Sequence, residues 1–169
     1  DFVDGLIDEV RIYNRALSAA EVQALYRSGA VKYTTPSNLG LVGYWSFDDA
    51  TSTTRSTLVQ DFSGNNNNGI MTNMDPATDN VPGKRGRALD FDGSNDFVDA
   101  GTGSSIHGLS TMSFCSWYRS NTRGGNGGGR FFQSAADNNG HRMLYWDGAT
   151  DNQIYFQVDY STQDLIARS

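Results

Sequence analysis

The chain carries seventeen aspartates against two glutamates, Glu9 and Glu21, together with fourteen asparagines and nineteen glycines. Aspartate and asparagine beside glycine make turns, and their oxygens on flexible loops suit a hard cation such as calcium. Asp61, Asn65, Asn67, Asn68 and Gly69 form one such loop, and Asp48 with Asp49 closes a strand-like run. Asp8 lies within LIDEVRIY, where alternation puts Leu6, Asp8, Val10 and Ile12 on one face and Ile7, Glu9, Arg11 and Tyr13 on the other. A carboxylate facing a core is costly unless it is paired or ligating. Asp8, Asp48, Asp61 and Asn68 are therefore the candidate ligands of a structural calcium; the alternative is that they only form turns and accept backbone hydrogen bonds. A second candidate site is aromatic. Tyr145, Trp146, Asp147 and Tyr155 combine ring faces with a carboxylate, as a sugar-binding surface needs, unless these rings alternate into the core.

Catalysis has less to build on. A glycosidase needs two carboxylates flanking the scissile bond, but one glutamate lies in a strand and the other starts a helix. Asp90, Asp92, Asp96 and Asp99 are interrupted by Gly-Ser-Asn turn residues. His107 and His141 stand in polar turns, with no serine or cysteine in a nucleophile elbow. Cys115, the single cysteine, sits mid-strand between aromatics and reads as a small buried hydrophobe. RGGNGGGR (123–130) lacks the Lys-Ser/Thr of a phosphate loop. The chain reads as non-enzymatic. A formal net charge of -6 argues against a nucleic-acid partner, and without an 18-residue apolar run no membrane insertion is expected.

The elements that must position these residues are mostly short strands. After the strand at 6–13, Ser18 with Glu21 three residues on forms a capping box. Val22, Leu25 and Tyr26 give a stripe, and Gly29 a stop, predicting a helix over about 19–28. A polar connector spans 30–40. LVGYWSFDD (41–49) opens a series of strands predicted near 57–60, 68–72, 87–92, 96–99, 111–119, 130–134, 142–146, 153–160 and 164–167, separated by Gly/Asn/Asp turns. Trp45, Phe47, Leu89, Phe91, Phe114 and Trp117 are the expected core.

LVGYWSFDD, QDFSGNNNNGI (60–70), GKRGRALDFDGSNDFVDAG (83–101) and STMSFCSWYR (110–119) resemble, in that order, the start of laminin-G-like, concanavalin A-like domains of bacterial extracellular proteins. GLIDEVRIYNRALSAAEVQALY (5–26) resembles how such a domain ends. The resemblance implies an all-β antiparallel jelly-roll sandwich with one short helix near the N-terminus. It also implies an order of parts: 1–29 as the closing strand and helix of a preceding domain, 30–40 as linker, and 41–169 as the first part of a second, truncated domain. Residues 6–14 are then expected to fill the place of the second domain's missing last strand. Related sandwiches often hold a structural calcium between first and last strands. The expected setting is a secreted or cell-surface multidomain protein. The expected function is a non-catalytic lectin-like module binding a polysaccharide or other glycan. The alternative is a structural or adhesive repeat that binds extracellular protein or acts as a spacer.

Overall fold

A computed structural model describes residues 2–28, 38–49, 56–121, 129–134, 142–147, 153–159 and 164–168, with backbone only from 134 onward. Its elements are β1 (Asp4–Tyr13), α1 (Ala19–Ser28), β2 (Leu41–Trp45), β3 (Leu58–Val59), β4 (Gly69–Thr72), β5 (Asn80–Pro82), β6 (Arg87–Asp92), β7 (Phe97–Asp99), β8 (Ser113–Ser120), β9 (Gly129–Ser134), β10 (Arg142–Asp147), β11 (Gln153–Asp159) and β12 (Asp164–Arg168). The class is all-β, with antiparallel strand pairing and one short helix. β5 was not expected; a three-residue strand ending in proline offers no alternation to read.

β1 organises the largest sheet. On one side its first half pairs with β6 (Ile7 opposite Leu89) and its second half with β2 (Val10 opposite Trp45). On the other side it pairs with β8 along its length. Residues 6–13 thus sit between strands formed by the chain that follows. β5 extends the sheet beyond β6. β3, β4 and β7 form a second sheet, and β9 to β12 a meander. The core lies between the β1 sheet and these layers: Val3, Ile7, Ile12, Trp45, Phe47, Leu89 and Phe91 meet Val59, Met71 and Met74, with Phe114, Tyr118, Phe131 and Phe132 packed alongside.

Two sequence expectations fail here. Asp8 does not share its face with Val10 and Ile12. Opposite β8, Asp8 faces Trp117 and Arg11 faces Cys115, so three steps along β1 match two along β8. That extra residue is a β-bulge, and Glu9 takes φ 56° to make it. Ile7 points inward before the bulge and Ile12 after it, while Asp8 is turned to the outer face. Trp117 also leaves the expected core. Phe114 and Tyr118 point inward, and alternation sends Trp117 to the opposite side.

Helix α1 begins as its capping box dictates. The Ser18 amide and hydroxyl donate to Glu21 Oε2 at 2.9 and 2.8 Å, and the Glu21 amide donates to Ser18 Oγ at 3.4 Å. Leu25 and Ser28 are its buried residues.

Gly43 shows how tightly β2 is built. A Cβ there would collide with the Trp45 ring, which is held in place because Trp45 Nε1 donates to the Asn67 carbonyl at 2.8 Å. Gly43→Ala should therefore destabilise the fold by about 1–3 kcal/mol, the usual cost of overpacking, measured as a lower urea midpoint with unchanged slope.

Candidate functional site

The outer face of the β1 sheet gathers the polar and aromatic groups that the core excludes. At its centre β6 gives way to β2 along the flank of β1, and the turn 83–86 closes beside the bulge. Asp8 Oδ2 accepts the Arg85 amide at 2.8 Å. Asp48 Oδ1 accepts the Arg87 amide at 2.7 Å. Two carboxylates thus hold one turn. Gly86 (φ 65°) and Gly83 are needed there, because a Cβ on the first would strike Asp48 and on the second Asp8.

Asp8 is 2% exposed, and its Oδ1 has no hydrogen-bond partner among the described residues. Burial drives its carboxyl upward, to about 6; the Arg85 and Lys84 amides oppose the rise, while Glu9 and Asp48 add to it. Glu9, 3% exposed, is held by Arg11 Nη2 at 2.6 Å and receives the Tyr44 hydroxyl at 3.0 Å on Oε1. The Arg11 guanidinium lies 4.1 Å from the Tyr44 ring centroid. Burial pushes the Tyr44 phenol up to about 12, opposed by Arg11 and reinforced by Glu9. Phe62, half exposed, tilts against Tyr44 with centroids 6.0 Å apart.

Beside Asp8, the Trp117 ring stacks against Tyr26 of α1, with centroids 5.3 Å apart and planes at 38°. Lys84 Nζ stands 5.1 Å from the Trp117 centroid. Tyr26 is 64% exposed. Neither Tyr26, Lys84 nor Arg85 was singled out in the sequence. Tyr26 read as part of the buried helix stripe, whereas Trp117 carried a usable signal: its parity opposes that of Phe114 and Tyr118.

The expected calcium ligands fall into two groups, Asp8 with Asp48 and Asp61 with Asn68. Among the described residues, no group of three or more His, Cys, Asp or Glu is placed to hold a metal ion. Asp61 is engaged by its own loop: Oδ1 accepts the Tyr44 and Ser63 amides at 2.9 and 2.8 Å, and Oδ2 accepts the Ser63 hydroxyl and Asn67 amide at 2.8 and 2.9 Å. Asn68 Oδ1 accepts the Asp61 amide at 2.9 Å. Asp61 and Asn68 brace the asparagine loop, and Asp8 and Asp48 hold the 83–86 turn. Of the expected sugar-binding residues, Tyr145 pairs opposite Tyr155 and Asp147 opposite Gln153 across β10 and β11, with Trp146 opposite Ile154. Their side chains lie outside the described residues. Between the sheets a partly open pocket of about 570 Å³ is lined, among the described residues, by Ile7, Val10, Ile12, Trp45, Phe114 and Phe132, with Asp96, Asp99, His107 and Arg130 among its polar linings.

The sequence matches no protein-family model and no curated protein. Among solved structures, the chain is similar to an S-layer domain-containing protein from Clostridium thermocellum ATCC 27405, with a TM-score of 0.59 and 21% identity. The match covers 75% of this chain and 56% of that one, so the chain spans little more than half of that structure. This likeness supports the β-sandwich architecture and nothing finer.

Asp8 makes the stability of this face dependent on pH. The folded chain keeps a proton on Asp8 up to about pH 6, whereas the unfolded carboxyl releases it near 3.8. Folded binds more protons than unfolded across that window, so the Asp8 contribution to stability should decline as pH rises from about 4 to 6. Asp8→Asn should flatten this part of the curve, read from denaturation midpoints at several pH values. An undiminished decline in the variant would locate the titration elsewhere.

Proposed function

We propose that this chain is a non-catalytic, glycan-binding β-sandwich module of an extracellular or cell-surface protein. The observation that carries the reading is the Tyr26–Trp117–Lys84 stack on the outer face of the β1 sheet. A sugar ring packs its C–H face on an aromatic plane and directs its hydroxyls to charged or amide groups alongside. Tyr26 offers an open ring. Lys84 and Arg85, the latter half exposed, provide donors beside it. The Tyr44–Phe62 pair adds a second aromatic surface on the far side of the bulge. The residues that resemble laminin-G-like domains support a lectin-like role. No described helix is long and apolar enough to cross a membrane. The Clostridium thermocellum neighbour, named for an S-layer domain, supports a place at the cell surface and favours the second reading, a structural or adhesive repeat.

The test is a glycan-array screen of the chain and of Tyr26→Ala and Trp117→Ala. A glycan that binds the parent should lose at least about tenfold in affinity with either variant, equivalent to about 1.4 kcal/mol. Binding untouched by both substitutions would move the site elsewhere. No glycan bound by the folded parent would leave the structural or adhesive repeat.

A further inference from the structure

Among the described residues, β8 is paired on one side only. Its inner flank is taken by β1, and among the described strands none pairs with its other flank. It is eight residues long, SFCSWYRS, without proline or glycine and with a single charge, Arg119. The bulge in this pairing lies on β1, so β8 itself runs regularly. Edge strands of monomeric proteins are usually short, kinked or charged, because a regular edge offers its amides and carbonyls to another strand. Phe114 and Tyr118 are only partly buried although they face the core, packed on Phe132 and Phe131 with centroids 5.4 and 4.3 Å apart.

The sequence of β8 is close to symmetric in character about Ser116. Phe114 and Tyr118 face inward at equal distances from it, and Cys115 and Trp117 face outward. Two such strands, antiparallel about a twofold axis at Ser116, would set Phe114 opposite Tyr118, Cys115 opposite Trp117 and Ser113 opposite Arg119. Every pair then lies on one face of the combined sheet. A slip of one residue would oppose inward to outward side chains along the whole strand. The charges are also compatible, since each Arg119 meets a serine rather than its own copy. Helix α1 meets β8 through the Tyr26 ring on Trp117, and no α1 backbone is paired with the strand.

We propose that a second copy of this chain pairs along the outer edge of β8, antiparallel and twofold about Ser116, so that the two β1 sheets become continuous. The partner strand would cover the exposed flanks of Phe114 and Tyr118 and pair along the outer edge of the strand. This interface shares strand β8 with the proposed glycan-binding face, but it does not rest on that reading.

The whole 169-residue chain should sediment as a dimer that dissociates on dilution between roughly 100 and 1 μM, the micromolar range of a modest interface. Register has its own readout. Directly opposed residues in antiparallel strands have Cα atoms about 4.5–5.5 Å apart, within disulfide reach. Cys115→Ser combined with Ser116→Cys should therefore give a reducible covalent dimer under mild oxidation, and Cys115→Ser alone should not. A parent chain that melts cooperatively yet sediments as a monomer at about 100 μM would overturn the proposal. So would a dimer in which position 116 fails to cross-link, as expected if another surface, or another register, joins the copies.

Discussion

One long strand has to satisfy two shorter ones laid end to end. β1 pairs with β6 through Ile7 and with β2 from Val10, and between them the neighbouring chain must leave one strand and enter the other. The mismatch is absorbed at Asp8 and Glu9. A non-glycine residue in the left-handed region costs of order 1–3 kcal/mol, and Glu9 sits there at φ 56°. Its side chain offsets that cost by joining Arg11 and Tyr44 in a buried charged cluster. Phe47, at φ 61°, carries a similar strain where β2 ends, just before Asp48 reaches the 83–86 turn. Bulge, turn and strand end are thus braced against one another through carboxylate-to-amide bonds.

The consequences run outward from that junction. Because the bulge reverses the sides of β1, Ile7 and Ile12 can both enter the core although they are five positions apart. For the same reason Asp8 and Arg11 both reach the outer face, where Asp8 meets the turn and Arg11 the Tyr44 ring. A regular strand would have sent one of each pair to the wrong side. The buried carboxylate with one oxygen unpartnered among the described residues follows from this geometry: Asp8 grips the Arg85 amide with Oδ2 while Oδ1 stays enclosed.

This explains what was legible in the sequence. Strand positions followed from period-two runs and turn residues, and α1 from Ser18 and Glu21, because those signals are local. The inward set Trp45, Phe47, Leu89 and Phe91 is buried as alternation indicated. The bulge was not legible, since LIDEVRIY alternates acceptably without one, and only pairing with three other strands demands it. The reading of Asp8 as core-facing failed for that reason. Asp61 and Asn68 are ambiguous for a different reason. Oxygen-rich loops that bind a cation and those that bind their own amides use the same residues, and the choice depends on whether backbone donors fill the lone pairs first. Here the amides of Tyr44, Ser63 and Asn67 fill those of Asp61.

The same balance separates interior from surface. The cavity between the sheets is bounded mainly by aliphatic and aromatic side chains, so it cannot hydrogen-bond a polyhydroxyl ligand along most of its wall, and desolvating such a ligand there would go uncompensated. The outer face of the β1 sheet has the opposite character: aromatic planes at Tyr26 and Phe62 remain open, with cationic donors from Lys84 and Arg85 between them. A ligand that is apolar on its ring faces and polar at its rim matches that alternation. The bulge is what puts the two kinds of group on one surface, by turning Asp8 out beside Trp117 and Arg11 out beneath Tyr44 while the aliphatic residues of β1 go inward.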